Sequence, residues 1–231
     1  DGEGEWDNFS GKLDGPFTAH PKIDPVTGDW YTFSTQFSSG RLYHSVVRQG
    51  ELAQHSVIDQ QKPALAFLHD YYLTEHYLVF PDLSLRFNPK DMFGPEKSPM
   101  VFDADYKMRW GVIKRDHQPG DPVRWFTTEQ PGHLWHVVNG WEETRDDGGT
   151  DIVLFAPVFR SYPSNLPIHN TQEPHAKLNK WRLNLGSGQV TEDRVLLDHF
   201  YERPSFNTAY IGRQNRYAYL LDEEKEGMMG R

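Results

Sequence analysis

The sequence predicts an all-β fold, and three observations lead to that prediction. Phe, Tyr and Trp make up 14% of the 231 residues, and aromatic side chains favour the pleated, half-buried surface of a strand. Short strand-like runs recur along the whole chain, with turn-forming residues between them. No window of a dozen residues carries a convincing 3.6-residue apolar period, so we expect helices to be few and short.

Seven runs are interpreted as strands, because each is rich in β-branched or aromatic residues and is bounded by turn residues. They cover residues 29–33, 41–47, 76–80, 108–113, 151–155, 180–185 and 217–221. Hairpin turns are expected at residues 24–29, 48–51 and 184–188, where glycine supplies positive φ and proline presets a turn. Long loops are expected at residues 87–97 and 161–174. Periodicity alone leaves a sandwich and a propeller open.

The overall composition argues against several classes of protein. A net charge of −9 and the lack of any lysine or arginine run argue against a nucleic-acid binder, because phosphate binding needs a concentrated basic surface. The chain contains no cysteine, which excludes disulfides, thiolate metal sites and cysteine nucleophiles. Any metal must therefore bind through nitrogen and oxygen ligands. No stretch approaches the roughly 18 to 20 apolar residues of a membrane span.

The first residues lack the features of a targeting segment. Residues 1–5 read DGEGE, with neither the basic region nor the apolar region of a signal peptide, and position 1 is not methionine. We therefore expect the chain to be processed or partial, with any targeting segment outside it.

Three histidines are the main candidates for chemistry. His20, His69 and His136 each lie at the start or edge of a strand-like run. Neutral imidazole is a good ligand for Fe, Zn, Cu or Ni. Because 49 residues separate the first two and still more separate the second from the third, only tertiary structure could bring them together. The pattern predicts a site at the centre of a fold rather than in a local loop.

Four sequence motifs follow one another along the chain. They are FTAHPKIDPVTG at residues 17–28, HDYYLTEHY at 69–77, HVVNGWEE at 136–143, and YERPSFN at 201–207 with GRQNRYAY at 212–219. In residues and in order they resemble the motifs of the carotenoid cleavage oxygenases, a family of non-haem iron enzymes that also includes stilbene-cleaving members. The resemblance covers most of the chain.

The resemblance implies a role for each of four residues. His20, His69 and His136 are expected to bind Fe(2+), and Glu202 is expected to accept a hydrogen bond from His136. Ferrous iron must keep open positions for dioxygen, and an all-imidazole set leaves its positive charge in place. A nearby carboxylate offsets that charge and fixes the orientation of the ring.

The other histidines are expected to have no part in the site. His133 competes with His136, but an offset of three in an extended segment places the two side chains on opposite faces. The family motif has its ligand three residues before an asparagine, which selects His136. His133 is then expected to be a loop or second-face residue, and His76 to be structural. The histidines that match no motif are His44, His55, His117, His169, His175 and His199.

The resemblance also implies a fold and an incomplete chain. The family fold is a seven-bladed β-propeller with iron on its axis and helical loops over one face. Residues 1–231 are expected to form a single domain, the central portion of such a propeller, because the family's fourth histidine and further glutamates have no counterpart here. An unclosed propeller exposes strand edges, so we expect the chain alone to be poorly stable and inactive.

The implied reaction is the cleavage of a conjugated carbon-carbon double bond by O2 to give two carbonyl products. The implied substrate is an apolar polyene, a carotenoid or apocarotenoid, since residues 216–220 most resemble the plant-type enzymes. Such a substrate needs an aromatic-lined tunnel. Residues near the motifs that either line it or belong to the ordinary core are Phe67, Tyr71, Trp135, Phe155 and Phe159.

Several alternatives stay open at this point. A stilbene-cleaving or retinoid-isomerising relative would keep the family but change the substrate, and a noncatalytic propeller-like binding module would keep only the fold. The pairs Glu142 with Glu143 and Asp146 with Asp147 do not favour a glycosidase, because adjacent strand residues point apart and the second pair lies in a turn. Family members often occupy plastids and contact membrane surfaces. The compartment is open between plastid and cytoplasm, and no protein partner is inferred.

Overall fold

The computed structural model describes residues 9–13, 15–60, 65–88, 90, 93, 98–162 and 175–222. Within these ranges the chain forms seventeen β-strands and one three-residue 3-10 helix, Thr208–Tyr210. The all-β prediction is confirmed, and so is the expectation of few and short helices. In the same ranges no helix has both the length and the apolar character that crossing a bilayer requires.

The first sheet is an antiparallel meander of four strands in the order β1-β2-β3-β4. Its strands are β1 Lys22–Ile23, β2 Trp30–Gln36, β3 Arg41–Arg48 and β4 Glu51–Gln60. The β3–β4 connection is a two-residue hairpin in which Gln49 and Gly50 have φ values of 52° and 81°. Positive φ at both positions matches the right-handed twist of the strands. The predicted turns at 24–29 and 48–51 are confirmed.

The second sheet has the order β11-β10-β7-β6, and a small sheet of order β5-β8-β9 is formed by neighbouring segments. The four-stranded sheet contains β6 Tyr72–Leu73, β7 Tyr77–Asp82, β10 Arg109–Lys114 and β11 Arg124–Thr127. The three-stranded sheet contains β5 Leu65–Ala66, β8 Leu85–Phe87 and β9 Met100–Phe102. Because β8 and β9 fall between β7 and β10, the small sheet is in part an insertion into the second meander.

The third sheet repeats the four-stranded meander in the order β12-β13-β14-β15, and a two-stranded sheet follows it. Its strands are β12 Asn139–Thr144, β13 Thr150–Val158, β14 Lys177–Asn184 and β15 Gln189–Leu197. The last sheet pairs β16 Tyr201–Ser205 with β17 Tyr219–Asp222. Four-stranded meanders are typical blades of a β-propeller, so we refer to the first, second and third sheets as blades. The turn predicted at 184–188 joins β14 to β15.

The core fills the spaces between successive blades. Trp110 of the second blade and Trp181 of the third are both fully buried, with ring centroids 5.1 Å apart. A second cluster joins Phe33 of the first blade to Leu78 and Phe80 of the second. Since large apolar side chains from two blades share each cluster, burial couples neighbouring blades.

The predicted loops are described only in part. Phe87 ends β8, and residues 89, 91, 92 and 94–97 lie outside the described residues. Residues 161 and 162 have no strand structure, and residues 163–174 lie outside the described residues. Each of the seven predicted strands coincides with an observed strand, with ends that shift by a few residues.

Candidate metal centre

The three motif histidines each precede an edge strand of a different blade. His20 lies two residues before β1, His69 lies three residues before β6, and His136 lies three residues before β12. The blades of a propeller surround a central channel, so loops that lead into corresponding edge strands can meet there. This explains how histidines far apart in the sequence reach one place.

The three imidazole rings form one compact cluster. One nitrogen of each ring lies within 4.8 Å of the corresponding nitrogens of the other two, and Nε2 of His20 is 2.9 Å from Nε2 of His69. The ring centroids are 4.7 to 5.1 Å apart, and the planes cross at 69° to 87°. Three ring nitrogens this close together could share one metal ion. His20, His69 and His136 are each partly exposed.

Burial keeps two of the three rings in the form that binds metal. Desolvation by burial is the largest effect on the pKa of His20 and of His69, and it lowers both below the ordinary value. The proximity of the other rings acts in the same direction, because clustered imidazoles cannot all carry a proton. Neutral imidazole is the metal-binding form. Burial therefore keeps His20 and His69 in the form that can bind a cation at neutral pH.

Glu202 fixes the orientation of the third ring. Its Oε2 lies 2.8 Å from Nδ1 of His136, and the carboxylate is buried, with 6% of the residue exposed. This hydrogen bond to Glu202 raises the pKa of His136. When Nδ1 carries the hydrogen that Glu202 accepts, Nε2 keeps its lone pair free for a ligand bond.

The backbone next to Glu202 adopts an unusual conformation. Arg203 has a φ of 48°, its amide donates to Oε2 of Glu202 at 2.6 Å, and the β16–β17 register shifts between Glu202 and Ser205. A positive φ at a residue other than glycine is uncommon. The distortion lies where the carboxylate is turned towards His136.

His133 lies outside the cluster, and of the two expected positions, a loop or a second face, it occupies the second. It forms a β-bridge with Phe159, is fully buried, and packs edge-on against Trp135 at 4.8 Å between ring centroids. Within the described part of the chain, neither ring nitrogen has a hydrogen-bond partner. Burial lowers the pKa of His133 to about 3. The His133 ring lies on a different face from the cluster, because it packs among aromatic side chains and does not join the other three imidazole rings.

Replacing His133 with leucine should make the protein less sensitive to acid. The unfolded chain takes up a proton at this residue below pH 6.5, whereas the folded protein does so only near pH 3. Acidification therefore favours the unfolded state across this window. The pKa difference contributes about 2 kcal/mol by pH 5. Urea unfolding at pH 7.5 and pH 5 should show a smaller loss of stability for His133→Leu than for the parent.

His76 provides a matched control, because its effect on the pH dependence of stability has the opposite sign. The hydrogen bond to Glu142 raises the pKa of His76, so this pair stabilises the folded state below pH 6.5 and the contribution fades as the pH rises through the folded pKa. His76→Gln should therefore increase the loss of stability on acidification. Equal pH dependence for the parent and for His133→Leu would contradict the buried, neutral state of His133.

The five aromatic candidates divide into two groups. Phe67, Trp135 and Phe159 belong to one cluster beside the metal centre, where Trp135 lies 5.5 Å from the His69 ring. The other two pack elsewhere in the blades. Tyr71 donates its hydroxyl hydrogen to a backbone oxygen of the first blade, and Phe155 stacks on a tryptophan of β12.

A cavity opens next to the same histidine. Its volume is about 140 Å³, and His69 contributes to its wall. The apolar residues that line it include Phe17, Phe33, Phe37 and Leu68. An apolar space that reaches a metal-binding group is typical of a small-molecule site.

Several of the remaining acidic and histidine residues contribute to the framework. Glu142 accepts hydrogen bonds from Thr74 and His76, whereas Glu143 contacts the indole of Trp141 and an arginine of β14. The two carboxylates therefore lie on opposite sides of the strand, as expected. His44 and His117 are buried and hydrogen-bond to each other at 2.9 Å. His169 lies outside the described residues.

Two residues of the site were not identified from the sequence. Asn139 is buried, and its side-chain NH2 donates to the backbone oxygens of Tyr210 and Arg213 while its Oδ1 accepts from the amide of Gly212. It thereby ties β12 to the loop after Glu202. Asp70 is buried beside His69. No local sequence pattern marks either residue as part of the site, although both lie within the histidine motifs.

The amino-acid sequence is similar to a protein family and to several known proteins. The chain matches the family model described as Retinal pigment epithelial membrane protein (RPE65) over residues 3–229. It is 36% identical over 218 residues to 9-cis-epoxycarotenoid dioxygenase NCED1, chloroplastic, of Oryza sativa subsp. japonica, covering 92% of this chain and 32% of that protein. It is 29% identical over 223 residues to carotenoid 9,10(9',10')-cleavage dioxygenase 1 of Arabidopsis thaliana, covering 93% and 40%.

Solved structures share the fold. Lignostilbene dioxygenase of Pseudomonas brassicacearum superposes with a TM-score of 0.78 at 29% identity, covering 95% of this chain and 46% of that one. Cobalt-substituted Synechocystis ACO gives a TM-score of 0.74 at 23% identity, covering 93% and 46%, and supports the fold alone. The chain thus spans about a third to nearly half of the length of these relatives.

Proposed function

Because the chain belongs to the RPE65 family, which includes carotenoid and stilbene cleavage dioxygenases, we propose that it forms part of a ferrous iron dioxygenase. The enzyme adds the two atoms of O2 across one conjugated carbon-carbon double bond of a carotenoid or apocarotenoid and releases two carbonyl products. The convergence of His20, His69 and His136, with Glu202 behind the third ring, is the observation that carries this proposal.

The donor set suits ferrous iron. Neutral imidazoles bind iron, and three of them leave coordination positions open for other ligands. Ferrous iron bound here supplies the binding and activation of O2. His20, His69 and His136 would hold the ion, and Glu202 would keep the hydrogen of His136 on Nδ1, which leaves the lone pair of Nε2 available.

The rest of the chain's contribution is to bind and orient the substrate. The cavity beside His69 offers an apolar wall for a polyene, and Trp135 with Phe67 forms an aromatic wall near the same ring. A substrate bound there would place a double bond near the three histidines and would exclude water from them. Holding the reactants in contact lowers the barrier without any nucleophile from the protein.

A stilbene is the alternative substrate, and one observation favours it. The lignostilbene dioxygenase superposes on this chain with a TM-score of 0.78 at 29% identity. A carotenoid is the preferred substrate in this proposal, because curated carotenoid dioxygenases are up to 36% identical to the chain. A plastid is the compartment to test first, since the names of two rice relatives include the word chloroplastic. Contact with a membrane surface stays a prediction.

The test uses the longest natural polypeptide that contains residues 1–231. It is loaded with Fe(II) without oxygen, mixed with an apocarotenoid or a stilbene, and exposed to O2, and carbonyl products are measured by mass spectrometry. We expect two products from the apocarotenoid. Glu202→Gln should slow their formation about 10- to 100-fold, because it removes the charge that orients His136.

Glu142→Gln is the matched control, since Glu142 pairs with His76 away from the cluster. It should leave the rate within about twofold of the parent. Products from the stilbene alone would establish the alternative substrate. An iron-loaded protein that forms no product from either compound would overturn the dioxygenase proposal and favour a noncatalytic binding module.

A further inference from the structure

Asp70 is a buried carboxylate with contacts in three directions. Only 3% of the residue is exposed. Its Oδ1 lies 2.6 Å from Nζ of Lys22 and accepts from the amide of Tyr71 at 2.8 Å. Its Oδ2 accepts from the amide of Val137 at 3.0 Å. The side chain of Asp70 therefore connects strand β1, its own segment and the loop that contains Val137.

Each of these contacts lies next to one of the clustered histidines. Lys22 follows His20 by two residues, and Asp70 directly follows His69. Val137 directly follows the third histidine, and its amide is part of the backbone that carries that ring. The three histidine-bearing segments come from different blades, so the contacts through Asp70 link them across blade boundaries.

The charge of Asp70 also acts on the cluster. Burial is the largest effect on the pKa of His20, which it lowers, while the negative charge of Asp70 acts in the opposite direction. The same charge favours positive charge at His69 and at His136. The charge of Asp70 therefore reaches all three rings, whereas the positive charge of Lys22 opposes it at His20. An ion pair remote from the cluster would lack this effect.

We propose that Asp70, clamped by Lys22, is a positioning residue that holds the three histidine-bearing segments in register before the metal binds. The inference rests on the proposed function, since it concerns the same metal centre. A site whose ligands are already in place loses less conformational freedom when the ion arrives. Loss of the Asp70 contacts should therefore weaken metal binding by more than the accompanying loss of fold stability explains.

Asp82 provides a matched control. It is a buried carboxylate of β7 with 0% exposure, held by Arg86 at 2.5 Å and by Arg109 at 2.8 Å. It also accepts a hydrogen bond from the hydroxyl of Tyr106. None of these partners adjoins a clustered histidine, so Asp82 offers comparable burial and pairing without the connection to the site.

The experiment compares Asp70→Asn and Asp82→Asn in the longest natural polypeptide that contains residues 1–231. Affinity for Co(II) is measured anaerobically from its visible absorption, which also reports coordination geometry, and stability is measured by thermal unfolding without metal. Both variants should unfold at lower temperature than the parent. Asp70→Asn should weaken Co(II) binding about 10- to 100-fold and alter the absorption bands, whereas Asp82→Asn should do neither.

Lys22→Met covers the case in which Asp70→Asn does not fold. It keeps the backbone hydrogen bonds of Asp70 and releases only the segment of His20, so Co(II) binding should weaken about tenfold. Unchanged affinity and spectrum in either folded variant, with Co(II) bound by the parent, would overturn the positioning role alone. A parent that binds no Co(II) or Fe(II) would overturn the proposed function and the positioning role together.

Discussion

Replacing His136 with alanine is expected to lower the affinity for ferrous iron about 100-fold or more. The substitution removes one of three nitrogens that lie within 4.8 Å of one another. It also leaves Glu202 buried without the ring that it orients, and a buried carboxylate without its partner is costly. Iron content after anaerobic loading and thermal unfolding without metal separate these two effects. His69→Ala should lose iron in the same way.

His76→Ala is the control for this prediction. His76 and His136 each pair with a glutamate, at 2.7 Å and 2.8 Å respectively. His76 lies outside the cluster, and 68% of its side chain is exposed. Its replacement should leave iron binding unchanged. Retention of iron by both His69→Ala and His136→Ala would contradict the ligand set.

Gly212→Ala is expected to destabilise the fold by about 3 kcal/mol. Gly212 has a φ of +73°, and an added Cβ would lie 2.9 Å from the backbone oxygen of Leu73 and 3.0 Å from backbone atoms of Thr74. Backbone atoms cannot move aside as a flexible side chain can. The loop must shift, which strains the hydrogen bond between the Gly212 amide and Asn139. Urea unfolding at neutral pH measures the loss.

Gly28→Ala isolates the contribution of the dihedral angle. Gly28 has a φ of +74°, and an added Cβ would have no atom of the described residues within 4 Å. This variant should lose about 1 kcal/mol, the cost of the left-handed conformation alone. Equal losses for Gly28→Ala and Gly212→Ala would show that the close approach to the Leu73 backbone carries no energy.

The sequence predicted the long strands that bury both faces and missed several exposed ones. β3 and β13 are almost wholly buried and stand out as apolar runs, whereas β4 and β15 were not predicted. β4 and β15 are the outer edge strands of their blades and carry mostly polar residues. An edge strand is held by the backbone pairing of one neighbour and has little need for an apolar pattern.

The candidate site was predictable in its residues but not in its geometry. Motif resemblance singled out His20, His69, His136 and Glu202, and the structure brings these residues together. The role of Asp70 could not be read from the sequence, because its contacts with Lys22 and Val137 exist only when the blades are packed. Long-range hydrogen bonds leave no periodic pattern in a single sequence.

The aromatic candidates illustrate the same limit. Nearness to a motif selected Phe67 and Trp135, which lie beside His69, but also Tyr71, which points into the packing between two blades. Neighbouring strand residues alternate between faces, so sequence proximity to a ligand does not decide which side of the strand a ring occupies.

The most direct test of the central claim is a crystal structure of the Fe(II)-loaded polypeptide with anomalous data collected on both sides of the iron absorption edge. We predict one anomalous peak per chain at the common point of His20, His69 and His136, in bonding contact with one nitrogen of each ring, with Glu202 still bound to Nδ1 of His136. An iron peak elsewhere, or a fully loaded protein in which any of the three rings faces away from the ion, would contradict the account.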